Sequence, residues 1–373
     1  MYHEPTININ KDITPITFNV LNVDNTDFYE NLDSIKLIKL ETNDESLIGQ
    51  INQLFIVNDT LFVVDYHKAK SIFVFDLNGN YLHKINHLGN GPGEYQNINM
   101  AHINRTHITI SDWLSSKIIK YDLKGNLLSE NRVTPNPNDF IELENREMLF
   151  AFTSYTINTP HQVVFADTAL NTKETAFPFK KNSKIAASNG ISSFQKKDNT
   201  IMYYYSFCDT IYQIKGNEIT AKYNLALYDA SKRNAFLEEI QNMDIKKFNN
   251  KLMNSDIVGN YMFLELDDII YLSFSRAMTM YVSIIYKENY SIYNSIAGDG
   301  KKIFAYNPFI VSGYCQNALL AFIDESFFSM LSNENRDFFY SHISDKENIE
   351  ILKELENTDN NPVVCVLYIK KNR

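Results

Sequence analysis

The chain has 373 residues, 44% of them hydrophobic, with 23 Tyr and 25 Phe and a formal net charge of −10. A balance this acidic excludes a nucleic-acid partner, which needs a basic surface, and no run of about 18 apolar residues is present to span a membrane. The three cysteines, Cys208, Cys315 and Cys365, lie far apart in apolar runs. They form neither a disulfide scaffold nor a CxxC metal site and are expected to be small buried hydrophobes.

The opening MYHEPTININKDITP has no apolar h-region, so no signal peptide is expected in this chain. Residues 1–33 are assigned to an N-terminal extension and residues 34–373 to one domain. The first strand signal is SIKLIKLE, Ser34 to Glu41. It has no partner strand beside it in sequence.

Two stretches then copy each other: LFVVDYHKAKSIFVFDLNGNYLHKI, from Leu61, and ITISDWLSSKIIKYDLKGNLLSEN, from Ile108. Asp65 and Asp112 are offset by 47, and Asp76 and Asp122 by 46. Short alternating strands and Gly turns at this period are the signature of a β-propeller blade. Each copy divides into four strands. In the first these are GQINQLFIV, LFVVD, SIFVFD and YLHKINH, with a tight hairpin at Asn78-Gly79. In the second they are NINMAHI, HITISD, KIIKYD and NLLSEN. The link between them, GNGPGEYQN from Gly89, is expected to be a shaped structural loop. It lacks the Lys-Ser/Thr of a phosphate-binding loop, and no helix follows it.

Later blades are less regular. Blade three uses DFIELE, MLFAFTSY, HQVVFAD and KETAFPF. Blade four uses ISSFQKKD, TIMYYYSF, DTIYQI and EITAKYNL, and blade five GNYMFLEL, IIYLSFS, MYVSIIYK and YSIYNSI. Blade six has only FIVSGYC, ALLAFID and PVVCVLYIK. Placing Ser34 to Glu41 as its outermost strand, beside Pro362 to Lys370, closes the ring and leaves no long edge open. Two segments have helical spacing instead: 229–254, with Phe236, Leu237 and Ile240 on one face, and 345–356, with Ile349, Leu352 and Leu355. Ser344-Asp345 offers a cap for the second. The expected fold is therefore all-β: a six-bladed β-propeller with four antiparallel strands per blade, closed by the N-terminal strand, with two short helical insertions on one face.

No arrangement of residues carries a catalytic or metal signature. His83 and His87 sit four apart on a strand, about 13 Å, too far to share an ion. His102 and His107 flank a hairpin without a third ligand. Asp65, Asp76, Asp112, Asp122 and Asp167 each end a strand and are expected to accept hydrogen bonds from the next turn's amides. Asp267 and Asp268 are adjacent and point to opposite faces. No Gly-x-Ser-x-Gly elbow or His-Glu-x-x-His helix is present. No catalytic residue, metal ligand or cofactor is assigned.

Val64-Asp65, Ile72 to Asp76, Asn78-Gly79-Asn80 and Gly89-Asn90-Gly91-Pro92-Gly93-Glu94-Tyr95 together resemble the NHL repeat. With CDTIYQI (Cys208 to Ile214) and Asn361-Pro362, the chain is similar to six-bladed propeller proteins of Bacteroidetes-type bacteria. The resemblance implies an exported protein, periplasmic or at the cell surface. It also implies a lipid anchor, either removed before this chain or never attached, since no cysteine lies near the N-terminus.

In any blade, the turn after the second strand and the link to the next blade leave on one side. That side carries both helical insertions, and functional elaborations concentrate on loops of this kind. Tyr66, His67, Lys68, Tyr95, Trp113, Tyr155, His161 and Arg276 are the binding candidates there. Aromatic and Arg groups of this sort suit sugar stacking or protein recognition. The expected role is a non-catalytic binding propeller with a protein or glycan partner. The alternatives are a glycan- or peptide-directed hydrolase or lyase with a funnel site, and a structural subunit of an envelope assembly.

Overall fold

A computed structural model describes residues 6–22, 26–179, 192–197, 199–240, 243–299, 309–323, 325, 331, 333–341, 343, 346–355 and 360–371. Short runs of β-branched and aromatic residues, broken by Asn, Asp and Gly, become its strands. From the N-terminus come β1 (Ile9–Asn10), β2 (Ile16–Thr17) and β3 (Leu32–Lys39). Blade one is β4 (Gln53–Val57), β5 (Thr60–Asp65), β6 (Ser71–Asp76) and β7 (Tyr81–Ile85). Blade two is β8 (Met100–Ile103), β9 (His107–Asp112), β10 (Lys117–Asp122) and β11 (Leu127–Arg132). Blade three is β12 (Asp139–Glu142), β13 (Met148–Ala151), β14 (His161–Ala166) and β15 (Thr172–Pro178). Blade four is β16 (Phe194–Lys197), β17 (Thr200–Tyr203), β18 (Thr210–Lys215) and β19 (Glu218–Asn224). Blade five is β20 (Tyr261–Glu265), β21 (Ile269–Arg276), β22 (Thr279–Tyr286) and β23 (Ile292–Asp299). Blade six is β24 (Ile310–Cys315), β25 (Ala318–Ile323), β26 (Val363–Ile369) and, returning from the N-terminus, β3.

The six sheets are those of a six-bladed β-propeller with four antiparallel strands per blade. The closing strand is directly visible. β3 runs antiparallel to β26, with Ile38 opposite Val364 and Ile35 opposite Leu367. In five blades the register shifts between the third strand and the outermost one, at Val74/Phe75, Lys120/Tyr121, Phe165/Ala166, Ile211/Tyr212 and Tyr368/Ile369. A bulge there twists the free edge away from further pairing.

Two compact units make up the chain. One comprises Met1–Asp24, Val133–Glu265 and Tyr271–Ser283; the other comprises Asn25–Arg132, Leu266–Ile270 and Ile284–Arg373. In the second, Leu54, Val63 and Phe73 of blade one pack with Leu320, Val364 and Val366 of blade six. The opposite face of blade one, Phe62, Val64 and Val74, packs with Ile108, Ile110 and Tyr121 of blade two. Alternate residues of one strand thus feed two neighbouring cores, as a period of two requires. In the first unit, Leu149, Val163 and Phe165 of blade three meet Tyr203, Ile214 and Ile219 of blade four in the same way.

Four α-helices lie among the described residues: α1 (Ala230–Ile240), α2 (Ile245–Met253), α3 (Asn333–Ser341) and α4 (Lys346–Leu355). The helical segment 229–254 is two helices, not one. Asp244 breaks it, its carboxylate capping α2 by accepting from Lys247 N at 3.0 Å. Phe236 and Ile240 of α1 are buried against Phe207 in the second-to-third turn of blade four. α4 leans on β3 and β26, where Asn348 donates to the Ile35 carbonyl at 3.2 Å and Lys39 pairs with Glu354. The proposed cap Ser344-Asp345 lies outside the described residues.

Candidate functional site

The turns after the second strands of blades one and two are each held by a four-point device. Asp65 Oδ1 accepts from the backbone of His67 and Lys68 at 3.1 and 2.9 Å, while its Oδ2 accepts from Gly49 and Gln50 at 3.0 and 2.8 Å. Asp112 repeats three of these points with Leu114 N, Ser115 N and Gln96 N at 2.9, 3.3 and 2.8 Å, and its fourth donor is the Ser115 hydroxyl at 2.6 Å. Asn52 Oδ1 accepts from Tyr66 N at 2.7 Å, and Asn99 Oδ1 from Trp113 N at 2.8 Å. Tyr66 and Trp113 therefore occupy the same place in successive repeats. The other three strand-ending aspartates act likewise in their hairpins. Asp76, Asp122 and Asp167 each accept from two backbone amides and an Asn side chain. Those bonds hold all three carboxyls below the usual Asp range.

The candidates then part ways. Tyr66 is half-buried: its hydroxyl donates to Gln53 Oε1, and Ala101 N of β8 donates to both oxygens at 3.3 Å. Its ring meets His67 edge-on at 6.0 Å. His67 and Lys68 are exposed. Trp113 is 39% exposed beside Leu114 at 65%. Tyr95, by contrast, is only 1% exposed. Its ring is core and its hydroxyl donates to the Lys70 carbonyl at 2.9 Å, so burial raises its pKa to about 12.

The Gly89–Tyr95 link turns its polar groups inward. Gly91 N donates to Glu94 Oε2 at 2.7 Å, Gly93 N to Glu130 Oε2 at 2.6 Å, and Tyr121 Oη to the Gly93 carbonyl at 2.7 Å. The Lys117 ammonium, nearly buried, lies 2.9 Å from Glu130 Oε1 and 3.3 Å from the carbonyls of Gly91 and Glu94. This loop is a structural junction, as its sequence suggested.

The other unit holds the remaining three candidates. Tyr155 is half-buried in the 152–160 turn, whose tip, Ile157, is 84% exposed. His161 starts β14, opposite Pro178. Arg276 donates through Nε to the Asp256 carbonyl at 3.3 Å and lies 3.7 Å from its carboxylate. The following residues, Ala277 and Met278, both have positive φ (47° and 63°). Their amides donate to the carbonyls of Ser255 and Met253 at 2.9 and 2.8 Å, which clasps this strained turn to the end of α2.

Sequence reasoning missed the latches between inner strands. Gln53 Oε1 accepts from Ala101 N, Asp139 Oδ2 from Ser193 N at 2.7 Å, and Gln195 Oε1 from Glu265 N at 2.7 Å. It also missed the Lys222–Glu265 ion pair at 2.8 Å, whose carboxylate is buried. A usable signal existed for part of this, because Asn52 and Asn99 are offset by 47, as Asp65 and Asp112 are.

Exposed apolar side chains are distributed unevenly. On second-to-third turns and inter-blade links stand Leu47, Leu88, Trp113 and Leu114 in one unit, and Ile157, Met253 and Met278 in the other. On the turns at the opposite strand ends, among the described residues, only Tyr290 is a large exposed hydrophobic. Those turns are built from Asn, Asp and Gly, as at Asn58-Asp59, Asn78-Gly79 and Gly216-Asn217. Leu, Met, Ile and Trp presented on rigidly tethered turns can bury area against a partner. The polar atoms beside them are committed to holding the turns.

Among known proteins, the profile of a domain of unknown function, DUF4934, matches residues 6–368. The crystal structure of a presumed exported protein from Bacteroides fragilis NCTC 9343 is similar, with a TM-score of 0.78 at 18% identity. That match covers 96% of this chain and 100% of the other. A member of the duf4221 family from Bacteroides vulgatus has a TM-score of 0.56 at 12% identity, over 91% of this chain and 100% of its own. At these identities the likeness is one of fold. No curated protein matches the chain.

Proposed function

The chain belongs to the DUF4934 family, a domain of unknown function, and from that premise we propose a non-catalytic binding propeller that recognises a protein or glycan partner through its second-to-third turns and inter-blade links. The observation that carries this reading is the uneven apolar exposure of the turns: Leu47, Leu88, Trp113 and Leu114 in one unit and Ile157, Met253 and Met278 in the other, against Tyr290 alone at the opposite turns among the described residues. Apolar side chains gathered on one set of turns are suited to burial against a partner. Residues 34–373 act as the propeller, with 1–33 as an extension and blades one and two as NHL-like repeats. The protein works in the periplasm or at the cell surface. The likeness to the Bacteroides fragilis protein supports export.

The test is a screen of the full chain on a glycan array and a peptide phage library, repeated with Trp113→Ala, Leu114→Asp and Ile157→Asp. Hits on this surface should weaken by about 1–3 kcal/mol per anchor removed, with the thermal melt unchanged. Hits untouched by all three substitutions would place the site elsewhere. Hits consumed by the protein would make it an enzyme.

A further inference from the structure

The outermost strand of blade four, unlike those of blades one and two, carries a strand beyond it. β1 pairs in parallel with β19, Ile9 opposite Ile219 and Asn10 opposite Thr220; β2 does the same with Ile16 opposite Tyr223 and Thr17 opposite Asn224. Upstream, Ile7 N donates to the Thr175 carbonyl of β15 at 2.8 Å and Thr6 bridges Thr175; downstream, Phe18 N donates to the Asn224 carbonyl at 2.7 Å. Residues 6–18 thus form a strap over the outer edges of blades three and four, within one compact unit.

The strap's side chains show what the edge accepts. Ile7 and Ile9, two apart, pack against the aromatic core of Phe177, Phe194 and Tyr203 that fills the gap between these blades. Phe18 is buried with its ring 5.5 Å from that of Tyr223. Between the two paired dyads the strap leaves the sheet over Lys11 to Pro15, where β19 carries its bulge. Ile13 is consequently 48% exposed, and Ile16 is exposed as well. The strap fills the acceptor incompletely, holding it by two short ladders, two inserted isoleucines and Phe18 at its end.

We propose that the outer edge of blades three and four is a strand-acceptor site for an extended peptide of a partner protein. Such a peptide would carry aliphatic β-branched residues two apart, and the chain's own strap holds the site in cis until it is displaced. Strand addition gives affinity through main-chain hydrogen bonds and specificity through alternate side chains. This is the chemistry that residues 6–18 already display.

The probe is a fluorescein-labelled peptide of residues 6–18, with a version carrying Asp at positions 7 and 9 as control. Three full-length proteins are compared by anisotropy: the natural chain, an undocked chain (Ile7→Asp, Ile9→Asp), and a locked chain (Asn10→Cys, Thr220→Cys) whose cross-link is confirmed by mass spectrometry. The undocked chain should bind the probe at least tenfold more tightly than the natural chain. The oxidised locked chain should not bind, reduction should restore binding, and the control peptide should fail throughout. Equal binding by all three proteins, or no binding by a folded undocked chain, overturns the proposal. A concentration-dependent dimer of the undocked chain also overturns it, because a second copy is then the occupant. Should the undocked chain not fold, the locked chain decides alone. Probe bound after reduction and not before supports the site; probe bound in both states or in neither overturns it.

Discussion

Individual side chains here do two kinds of work, and only one is legible in sequence. A repeated Asp at a strand end announces its turn, because the same carboxylate satisfies the same orphan amides in each blade that carries it. Asp65 and Asp112 were readable for that reason, and so were the hairpins at Asp76, Asp122 and Asp167. Long-range partners leave no such mark: nothing near Lys117 in sequence points to Glu130 or to the carbonyls of Gly91 and Glu94. The same limit hid the burial of Tyr95, which reads as a surface aromatic in a Gly-rich loop. Two outcomes follow at this scale. Lys117→Met should lower stability by about 1–3 kcal/mol in denaturant melts, since it leaves the Gly91 and Glu94 carbonyls without their donor and the half-buried Glu130 without its counter-charge. Adding Glu130→Gln to that variant should recover part of the loss. The second outcome concerns acid. Burial pushes the Glu130 pKa up, but Gly93 N–H and Lys117 outweigh it and leave the carboxyl below its usual 4.5. A depressed folded value means the contribution is complete above the unfolded pKa and vanishes as pH falls through the folded one. The three hairpin aspartates, lowered from 3.8, titrate in the same sense. The melting temperature should therefore hold from pH 7 to about 5 and drop steeply below about 4. Glu130→Gln should flatten part of that drop; a melt that stays level to pH 3 would remove these carboxylates from the account.

At the level of elements, strand boundaries were legible wherever Gly or Asn punctuates an alternating run, and the closing strand was deduced from the strand that blade six lacks. The strap escaped notice because a two-residue strand has no periodicity to detect. The division of α1 from α2 was written in Asp244, a capping residue in the middle of an otherwise helical run. α3 was missed because NENRDFFYS has no apolar stripe. Two hairpin glycines give a matched test of how elements meet. Gly79, at φ +88°, sits where a Cβ would lie 1.9 Å from the Lys39 carbonyl of β3. Gly216, at φ +56°, has open space around it. Gly216→Ala should cost only the left-handed penalty, about 1–2 kcal/mol. Gly79→Ala adds a clash with the closing strand and should cost at least about 3 kcal/mol. Equal costs in chemical denaturation would mean that the blade-one hairpin does not abut β3 in solution.

For the whole molecule, the decisive element is the one farthest from its partners in sequence. β3 brings Leu32, Leu37 and Ile38 into buried positions and completes a ladder from Val363 to Ile369. Burying an aliphatic side chain stabilises by about 1.5–3 kcal/mol, so three such residues together approach the 5–15 kcal/mol that separates folded from unfolded domains. The strap makes shorter ladders and leaves two of its isoleucines exposed, so its share is smaller. Two truncations separate these roles. A chain lacking residues 1–17 keeps Phe18 and β3, and should melt cooperatively a few degrees below the full chain. A chain lacking residues 1–41 loses the closing strand and presents β26 as a bare apolar edge, VVCVLYI, which invites pairing between copies. It should lose its cooperative transition and aggregate, and a synthetic peptide of residues 32–41 supplied in trans should restore part of the melt. If the shorter chain instead unfolds as sharply and at the same temperature as the full one, β3 does not close blade six in solution.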